Sequence, residues 1–208
     1  MRLIKYTHAC VRLERNGNVL VIDPGIWAEP EAFDGAHGVL VTHEHYDHID
    51  PNRLRAAVKA NPALHVWTNA DVAKQLADLG EAVTGVGSGE EFEAAGFTVR
   101  TCGDRHAFTF AQLPDAANLG YVVDGIYHPG DAFAMPETEV ETLLVPTAGP
   151  WMKVGEAIDF VRRVRPSRAY SIHDAILNEA GLQLTDRWMS DHSQTDYQRI
   201  TIGGSVEI

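Results

Sequence analysis

The six residues His43-Glu44-His45-Tyr46-Asp47-His48 crowd three imidazoles and a carboxylate into one short turn, directly behind the apolar run Gly38-Val39-Leu40-Val41-Thr42. A chain carrying this segment must bury the run as a strand and leave the turn at its end open to a ligand. In extended backbone alternate residues point the same way, so His43 and His45 reach one cation while Asp47 and His48 turn toward a second. The spacing predicts a metal site at a strand end, and with it a hydrolase.

Two cations need more donors than one turn supplies, so His and Asp residues at other strand ends are the candidates. His106 lies in the loop beyond a strand ending at Thr101. Asp131 follows a hairpin in His128-Pro129-Gly130-Asp131, and His173 ends the strand Tyr170-Ser171-Ile172. Each sits where a strand releases the chain, the usual place for ligands on a rigid scaffold. His128 competes with His106 for a ligand role, although a strand residue at this position is expected to face away. Asp23, at the end of another strand, is expected to accept a ligand N–H and hold that ring, and its alternative is a turn-forming Asp before Pro24. His8 is read either as lining the pocket or as a satisfied structural histidine. His37, His65 and His192 have no partner in the pattern, and Cys102 reads as an apolar strand neighbour.

The local periodicity predicts strands over Leu3 to Tyr6, Cys10 to Glu14 and Val19 to Asp23, the last two joined by a turn at Asn16-Gly17-Asn18. A helix opens at Asp50-Pro51 and runs to about Ala60, and Leu64 to Thr68 is a strand. A second helix covers Asp71 to Leu79 and stops at Gly80. Phe97 to Thr101, Leu119 to Val123, Gly125 to His128, Leu143 to Pro146 and Ala169 to Ile172 read as strands, with Gly103 to Asn118 a loop. Helices are expected over Val154 to Val164 and near Leu184 to Met189. A final hairpin joins Arg199 to Ile202 with Ser205 to Ile208 about Gly203-Gly204. Two runs of strands, each with helices, predict an α/β chain of two sheets packed face to face with helices outside, in one domain over residues 1–208.

The formal net charge is -12, from 17 Lys and Arg against 29 Asp and Glu, a surface that repels nucleic acid and anionic membranes. Two cysteines are too few for a disulfide framework and read as reduced, buried thiols. The opening Met1-Arg2-Leu3-Ile4-Lys5-Tyr6 lacks the apolar core of a signal peptide, and no stretch approaches a membrane span. The expectation is a cytoplasmic protein whose partner is a small-molecule substrate; oligomeric state is not readable.

With its HxHxDH turn followed by one His, an Asp after a glycine and a final His, the chain resembles the metallo-β-lactamase superfamily over nearly its whole length. Thr7-His8-Ala9, Ile22-Asp23-Pro24, Pro129-Gly130-Asp131 and Leu144-Val145-Pro146, followed by Gly149, Met152 and Glu156-Ala157, are similar to the small lactonase-like group that includes L-ascorbate 6-phosphate lactonase. The resemblance implies a four-layer αββα sandwich. It implies His43, His45 and His106 around one divalent cation, Asp47, His48 and His173 around the other, and Asp131 bridging both. Members of that group often have Tyr directly after the last His, where this chain has Asp174, and Thr7 stands where glycine is common.

The mechanism expected of such a centre is a bridging water acidified to hydroxide by the two cations, with Asp47 orienting it and passing a proton to the leaving group. Nitrogen and oxygen donors favour zinc, and manganese or iron accepts the same set. Arg105 and Lys153, in loops beside ligand positions, are the candidates for holding an anionic substrate group. Met152 is taken with Trp27, Phe133, Trp151 and Trp188 as a candidate apolar wall. A small ester, lactone or phosphodiester fits the compact chain. The competing readings are an iron-binding redox member of the superfamily and a non-catalytic metal-binding protein.

Overall fold

The computed structural model describes residues 1–113 and 116–208, so positions 114 and 115 of the expected 103–118 loop lie outside the described residues. Strands β1 (Arg2–Lys5), β2 (Val11–Arg15), β3 (Asn18–Ile22), β4 (Gly38–Val41), β5 (His65–Thr68) and β6 (Val83–Gly85) form most of one sheet. The second sheet holds β7 (Glu91–Ala94), β8 (Phe97–Cys102), β9 (Gly120–Val123), β10 (Ile126–His128), β11 (Thr142–Pro146), β12 (Arg168–Ile172) and β13 (Asp196–Gln198). The last strand, β14 (Ser205–Glu207), returns to the first sheet beside β1. Among the described residues each sheet has seven strands, in the orders β14-β1-β2-β3-β4-β5-β6 and β13-β12-β11-β10-β9-β8-β7.

Strand alternation sorts side chains into three apolar layers. Leu3, Leu13, Leu20, Ile22 and Leu40 point between the sheets, where they meet Phe97, Val99, Tyr121, Leu144 and Ile172. Their neighbours Val21, Val39 and Val41 face the opposite way, onto α1 (Pro51–Ala60) through Leu54 and α2 (Ala70–Gln75) through Val72. On the far side Leu143 and Val145 pack under α3 (Val154–Val164) through Ala157, Phe160 and Val161, and under α4 (Glu179–His192) through Met189. The result is the expected four-layer sandwich. Among the described residues no helix is long and apolar enough to cross a membrane. Cys10 and Cys102 are both buried and free.

Three expectations need correction. The region near Leu184 to Met189 is only the middle of α4, which starts where the Asn178 side chain accepts the Gly181 N–H. The helix expected to Leu79 ends at Gln75 and gives way to a 3-10 turn, Ala77–Ala82, with Gly80 at φ 57°. The C-terminal hairpin does not form. Tyr197 of β13 pairs in parallel with Ala169, whereas Val206 of β14 pairs antiparallel with Leu3 in the other sheet. Gly203 and Gly204 hydrogen-bond the Lys5 backbone, so this glycine turn carries the chain between sheets instead of reversing it.

Strands β3 to β6 run parallel, as do β10 to β13, and their carboxyl ends open on one edge of the sandwich. Ligand sites of such sheets lie outside these ends. Asp23, Thr42, Asp131 and His173 all follow them.

Candidate metal centre

The histidine segment leaves β4 extended and then curls, closed by His48 N–H and Ile49 N–H on the His45 carbonyl (2.9 and 3.0 Å). Strand alternation therefore holds only as far as His45, and the curl brings Asp47 and His48 around. Gly25 makes room for it, since a Cβ there would lie 2.0 Å from the Asp47 carbonyl oxygen. Asp131 is set by Asn118, a buried residue whose Oδ1 accepts the Asp131 N–H (3.0 Å) and whose Nδ2 donates to the Pro129 carbonyl (2.9 Å). Gly130 is at φ 62°, and a Cβ on it would lie 2.2 Å from that Asn118 Oδ1.

These elements bring together two groups, His43, His45, His106 and Asp131, and His8, Asp47, His48 and His173, the candidate donor atoms within each lying inside 4.8 Å of one another. Asp131 spans them. Its Oδ1 is 3.0 Å from His48 Nε2, and its Oδ2 is 2.9 Å from His173 Nε2 and 3.3 Å from His106 Nε2. His173 and His8 both sit at left-handed φ (57° and 66°), as does Asp23 (51°), a concentration of backbone strain of the kind stored at functional sites.

Asp23 decides two of the ring tautomers. Its Oδ2 accepts the Nδ1–H of His48 (2.6 Å) and the Thr42 hydroxyl (2.7 Å), while Oδ1 accepts the Thr42 backbone N–H (2.8 Å). With its proton given to Asp23, the Thr42 oxygen accepts the Nδ1–H of His43 (2.9 Å). His106 Nδ1–H donates to the Ala107 carbonyl (2.6 Å). In all three rings Nε2 therefore presents a lone pair inward. His48 Nε2 and His106 Nε2 point at carboxylate oxygens, and His43 Nε2 at His45 Nδ1 (3.0 Å). Among the described residues His48 Nε2, His173 Nε2 and Asp131 Oδ1 are buried without a hydrogen-bond partner. Facing lone pairs repel, and a cation among them converts the repulsion into coordination, so the donor set fits divalent metal.

The titration shifts agree. Burial, reinforced by neighbouring His48, holds His43 well below the usual imidazole range. Burial takes His8 down to about 4 against the pull of Asp47. Burial would raise Asp47, but the His8 hydrogen bond and the charge of His48 outweigh it and bring the carboxyl to about 2. For Asp131 burial is likewise outweighed, by His48 and His173, and the group stays well below the carboxylate range. Burial works against charge on His48, yet Asp131 and Asp23 hold its pKa well above 6.5. A proton there answers the same negative field that a cation would.

Of the other candidates, His8 belongs to the second group, whereas His128, Arg105, Met152 and Lys153 fall outside both. His128 is fully buried, donates Nε2–H to the Ala9 carbonyl (2.8 Å) and accepts the Gly130 N–H at Nδ1 (3.2 Å), so both nitrogens are committed to the scaffold. His8 stands behind Asp47: Nδ1 accepts the Ala175 N–H (3.3 Å), which leaves Nε2–H to donate to Asp47 Oδ2 (3.2 Å). A cavity of about 270 Å³ opens over the centre, lined by Asp47, Asp131 and His173 together with Trp27, Tyr46, Trp151 and Ile176. Arg105, Met152 and Lys153 do not line it. Arg105 is exposed in the loop bridged to Ala117, Met152 packs against the α3 layer, and Lys153 is exposed at the start of α3. Of the aromatic residues considered for a wall, Trp27 and Trp151 line the cavity; Phe133 packs at a tilt against Phe160, and Trp188 is exposed on α4 beside His192. Trp151 does more than wall it, donating Nε1–H to Asp131 Oδ2 (3.0 Å). Neither that contact nor the role of Asn118 had a local sequence signal.

A family described as Beta-lactamase superfamily domain matches residues 2–173. The chain is 35% identical to Protein Rv0786c of Mycobacterium tuberculosis over 205 residues, 95% of each chain. It is 30% identical to UPF0173 protein PF0020 of Pyrococcus furiosus over 189 residues, 86% of each. Its fold superposes on Igni18, a metallo hydrolase from the archaeon Ignicoccus hospitalis, with a TM-score of 0.76 at 17% identity, covering 100% of this chain and 98% of that one. This protein belongs to the metallo-β-lactamase superfamily and, within it, to the UPF0173 family of metal-dependent hydrolases.

Proposed function

We propose that the chain holds two divalent cations, one by His43, His45 and His106 and one by Asp47, His48 and His173, with Asp131 between them, and that it hydrolyses a small ester, lactone or phosphodiester. The Asp131 carboxylate carries this reading, because among the described residues it alone lies within 3.3 Å of imidazoles from both groups. The nitrogen-rich donor set suits zinc best, with manganese and iron accepting the same geometry. Bound there, the cations supply an acidified water and polarise the scissile oxygen.

The chain's own residues do the rest. His8 Nε2–H holds Asp47 Oδ2, so Oδ1 is the atom assigned to take the proton of the attacking water and deliver it to the leaving oxygen. Trp151 and Asn118 hold the Asp131 carboxylate and its backbone in place. Trp27, Trp151 and Ile176 exclude bulk water from one side of the substrate. Where lactonase-like members carry Tyr, Asp174 instead faces Lys5 Nζ at 3.5 Å, outside the cavity lining, so substrate binding in this chain does not run through that position.

Elemental analysis of zinc-supplemented protein tests the reading. About two metals per chain are expected in the native protein and fewer than one in Asp131→Asn, with hydrolysis of an ester, lactone and phosphodiester panel lost in parallel. A variant that keeps both metals would overturn the bridging assignment.

A further inference from the structure

The walls around this centre are apolar on both sides. The larger cavity is bounded by Trp27, Tyr46, Pro150, Trp151 and Ile176. Past His45, His106, Thr109 and Leu113 it continues into a smaller lobe of about 110 Å³, walled by Phe108 and Phe110. Tyr46, Phe108, Phe110, Leu113 and Ile176 are each about half exposed or more, the lowest being 49%. Large apolar side chains left in water around one concave mouth mark a ligand site, since isolated ones are scattered and these converge. Among the described residues the side chains with full charge that line the two lobes are Glu44, Asp47 and Asp131, all acidic; no lysine or arginine lines either lobe. With Asp47 and Asp131 assigned to the cations, an anionic group remote from the scissile bond would meet Glu44 and hydrocarbon and no lysine or arginine among the described residues.

We propose, resting on the hydrolase reading above, that the substrate is a neutral carboxylic ester with apolar groups on both sides of the scissile bond. A ring-sized group lies against Trp27 and Ile176, and a smaller one against Phe108 and Phe110. The two lobes meet at His45 and His106, which places the carbonyl beside Asp131 with one substituent in each. Hydrolysis then adds water to the carbonyl carbon and breaks the C–O bond to the alcohol. One water proton ends on the leaving oxygen, and the products are a carboxylic acid and an alcohol or phenol.

The test varies charge far from the reacting atoms. Metal-loaded protein is given phenyl propanoate, 4-carboxyphenyl propanoate and 4-(trimethylammonio)phenyl propanoate. The neutral ester is expected to show a kcat/KM at least about tenfold above both charged ones, a discrimination typical of an apolar pocket. Ile176→Ala and Phe110→Ala should each lower kcat/KM for the neutral ester by about tenfold with metal content unchanged. Equal turnover, or preference for either charged ester, overturns the neutral-substrate proposal and leaves the hydrolase reading standing. An unchanged kcat/KM in either variant overturns the two-sided cleft. Failure to turn over any of the three by protein holding both cations overturns the ester hydrolase reading itself, and this proposal with it.

Discussion

Asp23 Oδ2 accepts the Nδ1–H of His48 at 2.6 Å from 25 residues earlier in the chain, and through the Thr42 hydroxyl the same oxygen also orients His43. One carboxylate at the end of β3 thereby sets the tautomer of one ring in each donor group. Asp23→Asn preserves shape but can place an amide N–H against His48 Nδ1, turning the proton toward the metal face. Metal affinity measured by chelator competition is expected to fall about 10- to 100-fold with the circular dichroism spectrum unchanged. An unaltered affinity would remove Asp23 from the site.

Asp47, proposed above as a ligand of the second cation, accepts a hydrogen bond from His8 and borders the cavity. Asp47→Ala should retain the cation of His43, His45 and His106, release the other, and lower kcat by about 10²- to 10⁴-fold. Metal content and steady-state kinetics on the same sample read both effects. Native turnover would rule out the proton role.

Burial keeps His8 neutral in the folded protein down to about pH 4, whereas the unfolded chain protonates it near 6.5. A lowered folded pKa gives stability that is complete above pH 6.5 and lost as the pH falls to about 4, on the order of 3 kcal/mol for such a shift. Asp47, also lowered, adds its own loss only below 3.8, toward about 2. Urea unfolding at several values between pH 7 and 4 should therefore show a shallower decline in His8→Gln than in the native protein. Parallel slopes would mean that His8 is already charged in the folded state.

Gly130 has no room for a side chain, with Asn118 Oδ1 2.2 Å and Thr42 Cβ 2.8 Å from a built Cβ and a left-handed φ of 62°. Gly130→Ala is expected to cost roughly 2 to 4 kcal/mol. It should lower the thermal midpoint by about 5 to 10 °C and displace Asp131 enough to reduce metal content. An unshifted melting curve would show that the Pro129-Gly130-Asp131 turn is softer than its contacts indicate.

The histidine turn, the apolar strands that carry it and the helix start at Asp50-Pro51 were legible in the sequence, because each is encoded within a few residues. Alternation places Leu20 and Ile22 on one face and Val21 on the other, and Asp50 Oδ1 accepts the Asn52 and Arg53 N–H groups (both 3.1 Å) whatever packs outside. The final segment shows where that reach stops. Arg199 to Ile208 has the pattern of a hairpin, but Arg199 to Ile202 forms no strand, and the strands on either side of it, β13 and β14, pair with β12 and β1 in different sheets.

The site divides along the same line. The chain by itself determined which residue types stand at strand ends, since spacing and periodicity are local properties. Tertiary packing alone decided that Asn118 and Trp151 hold Asp131, that His128 spends both nitrogens on backbone, and that Arg105 and Lys153 stay outside the cavity. Those outcomes depend on the direction of each side chain after two sheets have packed. Direction across a gap of many residues is set by the sum of long-range contacts, which no short window of sequence contains.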